Sequence, residues 1–307
     1  MAVQWYPGHM HKAQKEIREI MDDIDVIIEV LDARIPYSSE NPLISQLRKD
    51  KPCVKLLNKM DLSDPLLTQQ WLQALEKEQG VKALPVTTKE PQTMASLSET
   101  CRQLYYDNHR QDRPIKTMIM GIPNVGKSSI INLLAGRNIA KVGNEPAVTK
   151  RQQIIYIDNG IVLLDTPGIL WPRVENQNSG YRLAITGAVK DTAIEYEDIA
   201  LYAGEYLLKN YPMLLQQRFD LDNLPDSPLM LLEEIGKRRG CLRSGGHIEL
   251  HRASEILIHE YRSGKLGLIT FETPEMVQQE EIMVLQQQAE RLEKKALKQA
   301  SRKKSRR

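Results

Sequence analysis

Apolar residues in the first half of the chain follow two patterns, short continuous runs and stripes that recur every three to four residues. The runs are rich in β-branched residues and predict buried strands, whereas the stripes predict amphipathic helices. Strands are predicted over 25–34, 51–61, 81–89 and 115–121, and a hairpin over 152–168 with its turn at Asn159 and Gly160. Helices are predicted between them, over 9–22, 42–49, 66–80, 94–109 and 127–136. This alternation predicts an α/β fold, a doubly wound and mostly parallel sheet whose loops meet at the carboxyl edge.

The pattern changes after Trp171. Helical stripes then follow one another with little strand signal, over 197–212, 227–240 and 247–264. Thr273 is suited to an N-cap and Pro274 to the first position of one more helix, which runs into a basic tail. We therefore expect an α/β domain at 1–177, a smaller all-α domain at 178–272, and a C-terminal helix and tail at 273–307.

The net charge of the 307 residues is only +2, but it is unevenly distributed. From Arg291 to Arg307 there are nine Lys or Arg and one Glu, so this tail carries +8 and the rest of the chain about −6. Such a tail is typical of a protein that binds a polyanion, and equally of a solvated, disordered extension. The sequence leaves both interpretations open.

The three cysteines show no paired spacing, which indicates a reducing compartment and argues against a disulfide framework or a zinc cluster. The N-terminal residues contain no apolar segment of signal-peptide length. The longest apolar run, VIIEVL, is too short to cross a bilayer. We expect a cytoplasmic monomer with no membrane partner.

A glycine-rich stretch, GIPNVGKSS at 121–129, fits the phosphate-loop pattern G-x-x-x-x-G-K-[ST]. The glycines let backbone N–H groups converge on phosphate oxygens, Lys127 can reach the outer phosphates, and the Ser128 hydroxyl can ligate Mg²⁺. A strand precedes the loop and a helix follows it, so the positive end of the helix faces the same anion. The predicted phosphate-side residues are Asn124, Val125, Gly126, Lys127, Ser128 and Ser129.

The tetrapeptide NKMD at 58–61 has two interpretations. It can be a turn in which Asp61 caps a helix. Alternatively, the Asp61 carboxylate accepts hydrogen bonds from the ring N–H and the exocyclic amine of guanine, which adenine does not offer there. Lys59 would then lay its methylene stem along the base and Asn58 would brace the neighbouring loop. The predicted base-side residues are Asn58, Lys59, Met60 and Asp61, followed in the VTTK stretch by Thr87, Thr88 and Lys89.

The stretch DTPG at 165–168 ends a predicted strand. Asp165 is suited to hold Mg²⁺ through water, and the Gly168 N–H to sense a terminal phosphate. Thr149, between the phosphate loop and DTPG, is the candidate switch threonine. The predicted Mg²⁺ ligands are therefore Ser128, Thr149 and Asp165.

Together these motifs resemble those of translation-factor-related GTPases, but NKMD and VTTK come before the phosphate loop rather than after DTPG. This order is a circular permutation, which a sheet tolerates because each loop needs only its place at the carboxyl edge. WYPGHMHKA, LDARIP, NKMDL, GIPNVGKSS, DTPGILWP and GGHIELHRAS narrow the resemblance to the YlqF-like family, ribosome biogenesis GTPase A. The resemblance implies a circularly permuted P-loop GTPase that hydrolyses GTP during late assembly of the large ribosomal subunit. It also implies binding to ribosomal RNA and to the large subunit or its precursor.

Many GTPases orient the attacking water with a Gln directly after DxxG, where this chain has Ile169. Hydrolysis should then be slow until another group acts. One candidate is His9, whose neutral imidazole can position water when a partner docks the N-terminus, and the resemblance also suggests it. The other is a potassium ion beside Asn124, which resembles the asparagine of K⁺-activated GTPases. The two candidates do not exclude each other.

Basic residues also cluster in the predicted helical domain, and they favour phosphate contacts with RNA over a merely solvated face. They are Arg238, Arg239, Arg243, His247, His251 and Arg252. Two functions remain open, an assembly-switch enzyme stimulated by the ribosomal particle and a GTP-dependent RNA-binding module whose hydrolysis is incidental. NKMD disfavours a third, an ATP-using P-loop enzyme.

Overall fold

A six-stranded sheet organises the residues that this computed structural model describes, which are 8–106, 113–137, 153–157, 160–171, 174–243 and 245–304. Side chains are described within these ranges except at 8–13, 106, 153, 193 and 296–304. The strands are β1 (Val26–Asp32), β2 (Cys53–Asn58), β3 (Val81–Pro85), β4 (Ile115–Met120), β5 (Gln153–Ile157) and β6 (Ile161–Asp165). Their order is β3-β2-β1-β4-β6-β5, and only β5, paired with β6, is antiparallel. The predicted fold class is confirmed.

Helices flank the sheet and dominate the second half of the described chain. They are α1 (Gly8–Ile20), α2 (Pro36–Ser39), α3 (Pro42–Arg48), α4 (Pro65–Leu75), α5 (Leu97–Tyr106), α6 (Lys127–Leu134), α7 (Gln177–Thr186), α8 (Tyr196–Asn210), α9 (Pro212–Phe219), α10 (Pro228–Arg238), α11 (Leu250–Arg262) and α12 (Pro274–Lys304). Within the described ranges, none of them is both long and apolar enough to cross a membrane.

The central strands owe their continuous apolar runs to burial on both faces. Every residue of β1 and β2 is buried, as expected for strands with helices packed on each side. The edge strand β5 differs, because Ile154 and Tyr156 on it are exposed. The strand predicted over 81–89 ends at Pro85, since the following Thr87 bonds instead to the side chains of Thr93 and Asp61.

The second half of the described chain, residues 174–243 and 245–304, is called the helical half. It is built around α8, which packs against α10 and α11. The helix predicted over 197–212 ends at Asn210, because Pro212 cannot continue it and starts α9 instead. The helices α7 and α9 and the short α2 were not predicted. Most buried apolar side chains form one cluster that runs from the sheet into these helices, and a smaller second cluster lies between β1, β2, β3, α4 and α12. The boundaries 1–177, 178–272 and 273–307 stay predictions.

Candidate nucleotide-binding site

The carboxyl ends of the parallel strands bring the predicted motifs to one edge of the sheet. β2 ends at Asn58, β4 leads into Gly121, and β6 ends at Asp165. β1, between β2 and β4, ends there at Asp32. The stretches 58–61 and 121–129 therefore converge although about sixty residues separate them.

The glycines of the 121–129 loop are required by the close approach of neighbouring backbone and side chains. Gly121 has φ 149°, and a Cβ there would lie 2.5 Å from the carbonyl oxygen of Val30 in β1. Gly126 has φ 98°, and a Cβ on it would collide with the side-chain amide of Asn58. The loop is thus shaped by the strand beside it and by the NKMD motif.

Lys127 begins α6 and is buried beneath the loop. Its Nζ donates hydrogen bonds to the carbonyl oxygens of Gly121 at 3.0 Å and Ile122 at 2.8 Å. Burial lowers the pKa of Lys127 to about 8, although the nearby Asp165 carboxylate acts in the opposite direction. Ser128 and Ser129 follow in the first turn of α6.

The base-side motif is hydrogen bonded directly to the phosphate loop. Asn58 donates from Nδ2 to the carbonyl oxygen of Val125 at 2.7 Å. Lys59 donates from Nζ to the carbonyl oxygen of Asn124, also at 2.7 Å. Lys59 has φ 62°, a left-handed backbone that turns the chain out of β2. The predicted brace by Asn58 is therefore a contact that the structure makes.

Asp61 faces two donors from the VTTK stretch. Its Oδ1 accepts from the Thr87 hydroxyl at 2.7 Å, and its Oδ2 pairs with the Lys89 Nζ at 2.6 Å. Partial burial alone would raise the pKa of Asp61, but the hydrogen bonds from Lys89 and Thr87 hold it below its ordinary value. Asp61 is therefore a carboxylate near neutral pH, as an acceptor for guanine N–H groups must be. Met60 and Thr88 lie half-buried beside it.

The DTPG stretch lies against the phosphate loop. The Thr166 hydroxyl donates to the carbonyl oxygen of Ile119 in β4 at 2.8 Å, and the Ile169 N–H donates to that of Gly121 at 3.2 Å. A Cβ on Gly168 would come within 3.1 Å of the Lys127 Nζ and of Pro123, so only glycine fits without displacing them. Ile169 is buried, and its apolar side chain cannot orient water.

The oxygen donors suited to Mg²⁺ include the hydroxyl of Ser128 and the buried carboxylate of Asp165. In the pairing of β4 with β6, Asp165 lies opposite Ile119, two residues before Gly121, so this carboxylate lies beside the start of the phosphate loop. Thr149 lies outside the described residues. Within the described ranges, no group of three or more His, Cys, Asp or Glu is arranged to hold a metal ion.

Of the two predicted catalytic features, His9 and Asn124, only Asn124 has a described side chain. The backbone of His9 belongs to α1, but its side chain is outside the described ones. Asn124 has φ 60°, and its Nδ2 donates to the carbonyl oxygen of Gly187 at 2.8 Å. Gly187 is the C-cap of α7, so this contact joins the phosphate loop to the helical half.

Sequence reasoning assigned no role to Asp32, Arg34 or Asn41, which all lie at the site or support it. Asp32 accepts from Lys59, and Asn41 donates from Nδ2 to the carbonyl oxygen of Ile169 at 2.7 Å. Asp32 and Arg34 belong to the LDARIP stretch, which was noticed only as part of the resemblance. The signal that could have found them is the position of LDAR, at the carboxyl end of a predicted strand.

The predicted basic cluster is largely paired with carboxylates. Arg238 bonds to Asp220 at 3.2 Å and to Asp222 at 2.9 Å. Other pairs are Arg239 with Glu260, Arg243 with Glu249, and His251 with Glu255. Arg252 and His247 are exposed on the same part of the chain. Surface pairs of this kind contribute little stability.

The sequence model of the family described as "50S ribosome-binding GTPase" matches residues 116–208. This match starts at β4, so it includes the phosphate loop and DTPG but not NKMD, as a permuted order requires.

Several curated proteins match most of the chain. Ribosome biogenesis GTPase A of Bacillus cereus is 45% identical over 282 residues, covering 90% of this chain and 95% of that protein. The protein of the same name from Priestia megaterium is 43% identical over 287 residues, covering 91% and 99%. Among solved structures, a GDP-bound YlqF matches with a TM-score of 0.63 at 28% identity, covering 85% of this chain and 99% of that one. A GNP-bound YlqF from Thermotoga maritima matches with a TM-score of 0.61 at 27% identity, covering 86% and 99%.

Proposed function

This chain belongs to the ribosome biogenesis GTPase A family and is a GTP-hydrolysing enzyme of ribosome biogenesis, and from that premise we propose how it acts. It is a nucleotide-dependent switch in late assembly of the large ribosomal subunit. It binds ribosomal RNA, and the large subunit or its precursor stimulates its hydrolysis of GTP. The description "50S ribosome-binding GTPase" of the matching family supports the large subunit as the partner.

The observation that carries the proposed nucleotide site is the pair of hydrogen bonds from Asn58 and Lys59 to the carbonyls of Val125 and Asn124. These bonds set the base-side loop beside the phosphate loop, the spacing that one guanine nucleotide needs. Asp61 would then accept from the guanine ring N–H and amine, while Lys127 and the N–H groups of 124–129 would hold the phosphates. Mg²⁺, bound through Ser128, Thr149 and Asp165, would neutralise charge that develops on the transferred phosphate.

Movement of the DTPG segment can reach the helical half through the chain itself. The residues after Ile169 continue to α7, where Arg182 is buried and pairs with Glu280 at 2.6 Å and with Glu272 at 3.3 Å. Glu280 lies in α12, and Glu272 lies just before it. A displacement of DTPG on loss of the terminal phosphate would therefore move α7 and, through Arg182, the N-terminal turns of α12.

Stimulation by the particle is supported by the apolar residue that comes directly after DTPG. Because Ile169 cannot position water, the group that does so has to come from elsewhere. We assign this role to His9, brought near DTPG when the particle docks the N-terminus, and to K⁺ held beside Asn124. His9→Ala should abolish most of the stimulated turnover while GTP affinity stays intact. Unchanged stimulated turnover would remove His9 from the mechanism.

RNA contact is supported by the basic tail from Arg291 and by the exposed basic residues of the helical half. The direct experiment is sedimentation with purified large subunits and precursors, in GDP or a non-hydrolysable GTP analogue, across a salt series. We expect co-sedimentation with the analogue, weaker binding with GDP, and a logarithmic salt slope that counts the phosphate contacts. Equal binding in both nucleotides would refute the switch.

A GTP-dependent RNA-binding module with incidental hydrolysis is the alternative, and the buried Ile169 favours it as far as intrinsic turnover is concerned. The two functions differ in turnover with the particle present. A large increase in rate on adding the particle supports the switch, and no increase supports the module.

A further inference from the structure

Asp32 is a buried carboxylate at the carboxyl end of β1, where it faces the base-side motif. It accepts two hydrogen bonds from the Arg34 guanidinium, from Nε to Oδ1 at 2.9 Å and from Nη2 to Oδ2 at 2.7 Å. The Lys59 Nζ donates to the same Oδ2 at 2.8 Å. Burial alone would raise the pKa of Asp32, but the Arg34 and Lys59 cations hold it well below its usual range. Asp32 is therefore charged at any physiological pH.

Asp32 and the phosphate loop together fix the end of the Lys59 side chain. The Nζ contacts both Asp32 Oδ2, at 2.8 Å, and the Asn124 carbonyl oxygen, at 2.7 Å. Two acceptors on one ammonium group restrict the path that the methylene stem can take. A lysine held only by a carbonyl would lose this direction, because its stem has four rotatable bonds.

Asp32 itself is held from the helical half. Arg34 is fully buried, and its guanidinium lies over the ring of Tyr261 in α11, 5.1 Å from the centroid. The Arg34 carbonyl oxygen accepts from the Phe271 N–H at 2.8 Å. These contacts fix the position of Arg34, and Arg34 in turn fixes the Asp32 carboxylate beside Lys59.

We propose that Asp32 is a positioning residue for guanine binding, which acts by directing the Lys59 stem against the face of the base. The proposal rests on the nucleotide site proposed above. Asp61 recognises the edge of the base, whereas Asp32 acts on its face through Lys59. The two effects are therefore separable with nucleotides that differ only at the edge, such as GDP and inosine diphosphate, which lacks the exocyclic amine.

The experiment measures affinities for GDP and inosine diphosphate by calorimetry in the full-length protein and five variants. They are Asp32→Asn, Lys59→Met, the double variant of these two, Asp61→Asn and Asp25→Asn. Asp25 is the matched control, because it lies just before β1 at the opposite end and takes a similar bidentate pair from Arg113 at 2.7 and 2.8 Å. Its loss should leave both affinities unchanged.

Asp32→Asn should lower the affinities for GDP and inosine diphosphate by the same factor, about tenfold, so that the ratio of the two affinities is retained. In the Lys59→Met background, Asp32→Asn should add no further loss, because its target is gone. Arg34 loses its carboxylate partner in both variants, so urea unfolding of each variant is measured alongside, to separate a folding defect from a change in affinity.

Three results would overturn the proposal. They are wild-type affinity in Asp32→Asn, a double variant that binds about tenfold more weakly than Lys59→Met, and a changed ratio of the affinities for the two nucleotides. Failure of the nucleotide site itself looks different, because Asp61→Asn would then leave the GDP preference intact. A loss in Asp25→Asn equal to that in Asp32→Asn would show a purely structural effect and would also overturn the proposal.

Discussion

Replacing Arg182 by Met tests whether the buried charges between α7 and α12 stabilise the fold. The guanidinium is 1% exposed and meets Glu280 at 2.6 Å and Glu272 at 3.3 Å. Ser38 donates to Glu272, and Asn176 to Glu280, so each carboxylate keeps a neutral donor after the change. Both would nevertheless stay buried without their cation, and breaking a buried pair in this way costs about 3–5 kcal/mol.

Urea unfolding followed by circular dichroism measures this loss. With a slope of roughly 3 kcal/mol per molar urea, the midpoint should fall by about 1–1.7 M. Arg238→Met is the matched control, since Arg238 also pairs with two carboxylates, but these are 98% and 89% exposed. Its cost should be about 0–1 kcal/mol. Equal losses in the two variants would refute the reasoning.

The pH dependence gives a second, independent check. Burial already raises the pKa of Glu272 in the wild type, whereas at Glu280 the effect of burial is outweighed by hydrogen bonds from Arg182, which lower the pKa. Because the Arg182 cation lowers the pKa of both carboxyls, its removal should raise both. A carboxyl whose pKa is raised by folding contributes stability at low pH, and this is lost as the pH rises through the folded pKa. The stability deficit of the variant should therefore be small near pH 5 and complete near pH 8. A deficit that does not change with pH would contradict this account.

Three further predictions concern the nucleotide site. GDP binding should weaken about tenfold from pH 7 to 9, because burial lowers the pKa of Lys127 to about 8 in the free protein and phosphates favour its charged form. Lys127→Arg stays charged and should lose this slope in calorimetric titrations; an identical slope would rule the explanation out. Asn41→Ala removes the hydrogen bond to the Ile169 carbonyl, next to Gly168. In fluorescence titrations it should lower the affinity for a GTP analogue about fivefold relative to the affinity for GDP. An unchanged ratio would show that Asn41 does not fix this segment. Asn124→Ala should abolish the rate difference between K⁺ and Na⁺, and equal wild-type rates in the two salts would end the cation proposal.

The circular permutation has a physical basis in the sheet. The nucleotide motifs lie at the carboxyl ends of β2, β4 and β6, and the hydrogen bonds between them cross from one loop to the next. Chain order changes which strands are joined by helices, but not which strand ends meet. What the permutation does change is the segment after DTPG, which here continues into α7 and the helical half.

The sequence by itself determined the α/β fold class and the positions of the buried strands, and it supplied the candidate phosphate and base motifs. Each of these depends on short-range patterns: strand burial on continuous apolar runs, and the loops on glycines at fixed spacing. Even the permuted order could be read directly, because it is an order of local motifs. The short α2, the helix α7, the separate α9 and the early end of β3 were missed, because prolines and side-chain bonds decide where they begin and end.

Only the tertiary structure decided which residues support those motifs. Asn41 and Ile169 are 128 residues apart, and Asn124 and Gly187 are 63 apart, so no local pattern links them. Asp32 was visible at a strand end, but its contact with Lys59 depends on β1 and β2 being neighbours in the sheet. The basic cluster gave the opposite result, since its charge was evident while several of its carboxylate partners came from other elements. Contacts of this kind follow from how the elements pack, and the periodicity of any one element carries no information about its neighbours.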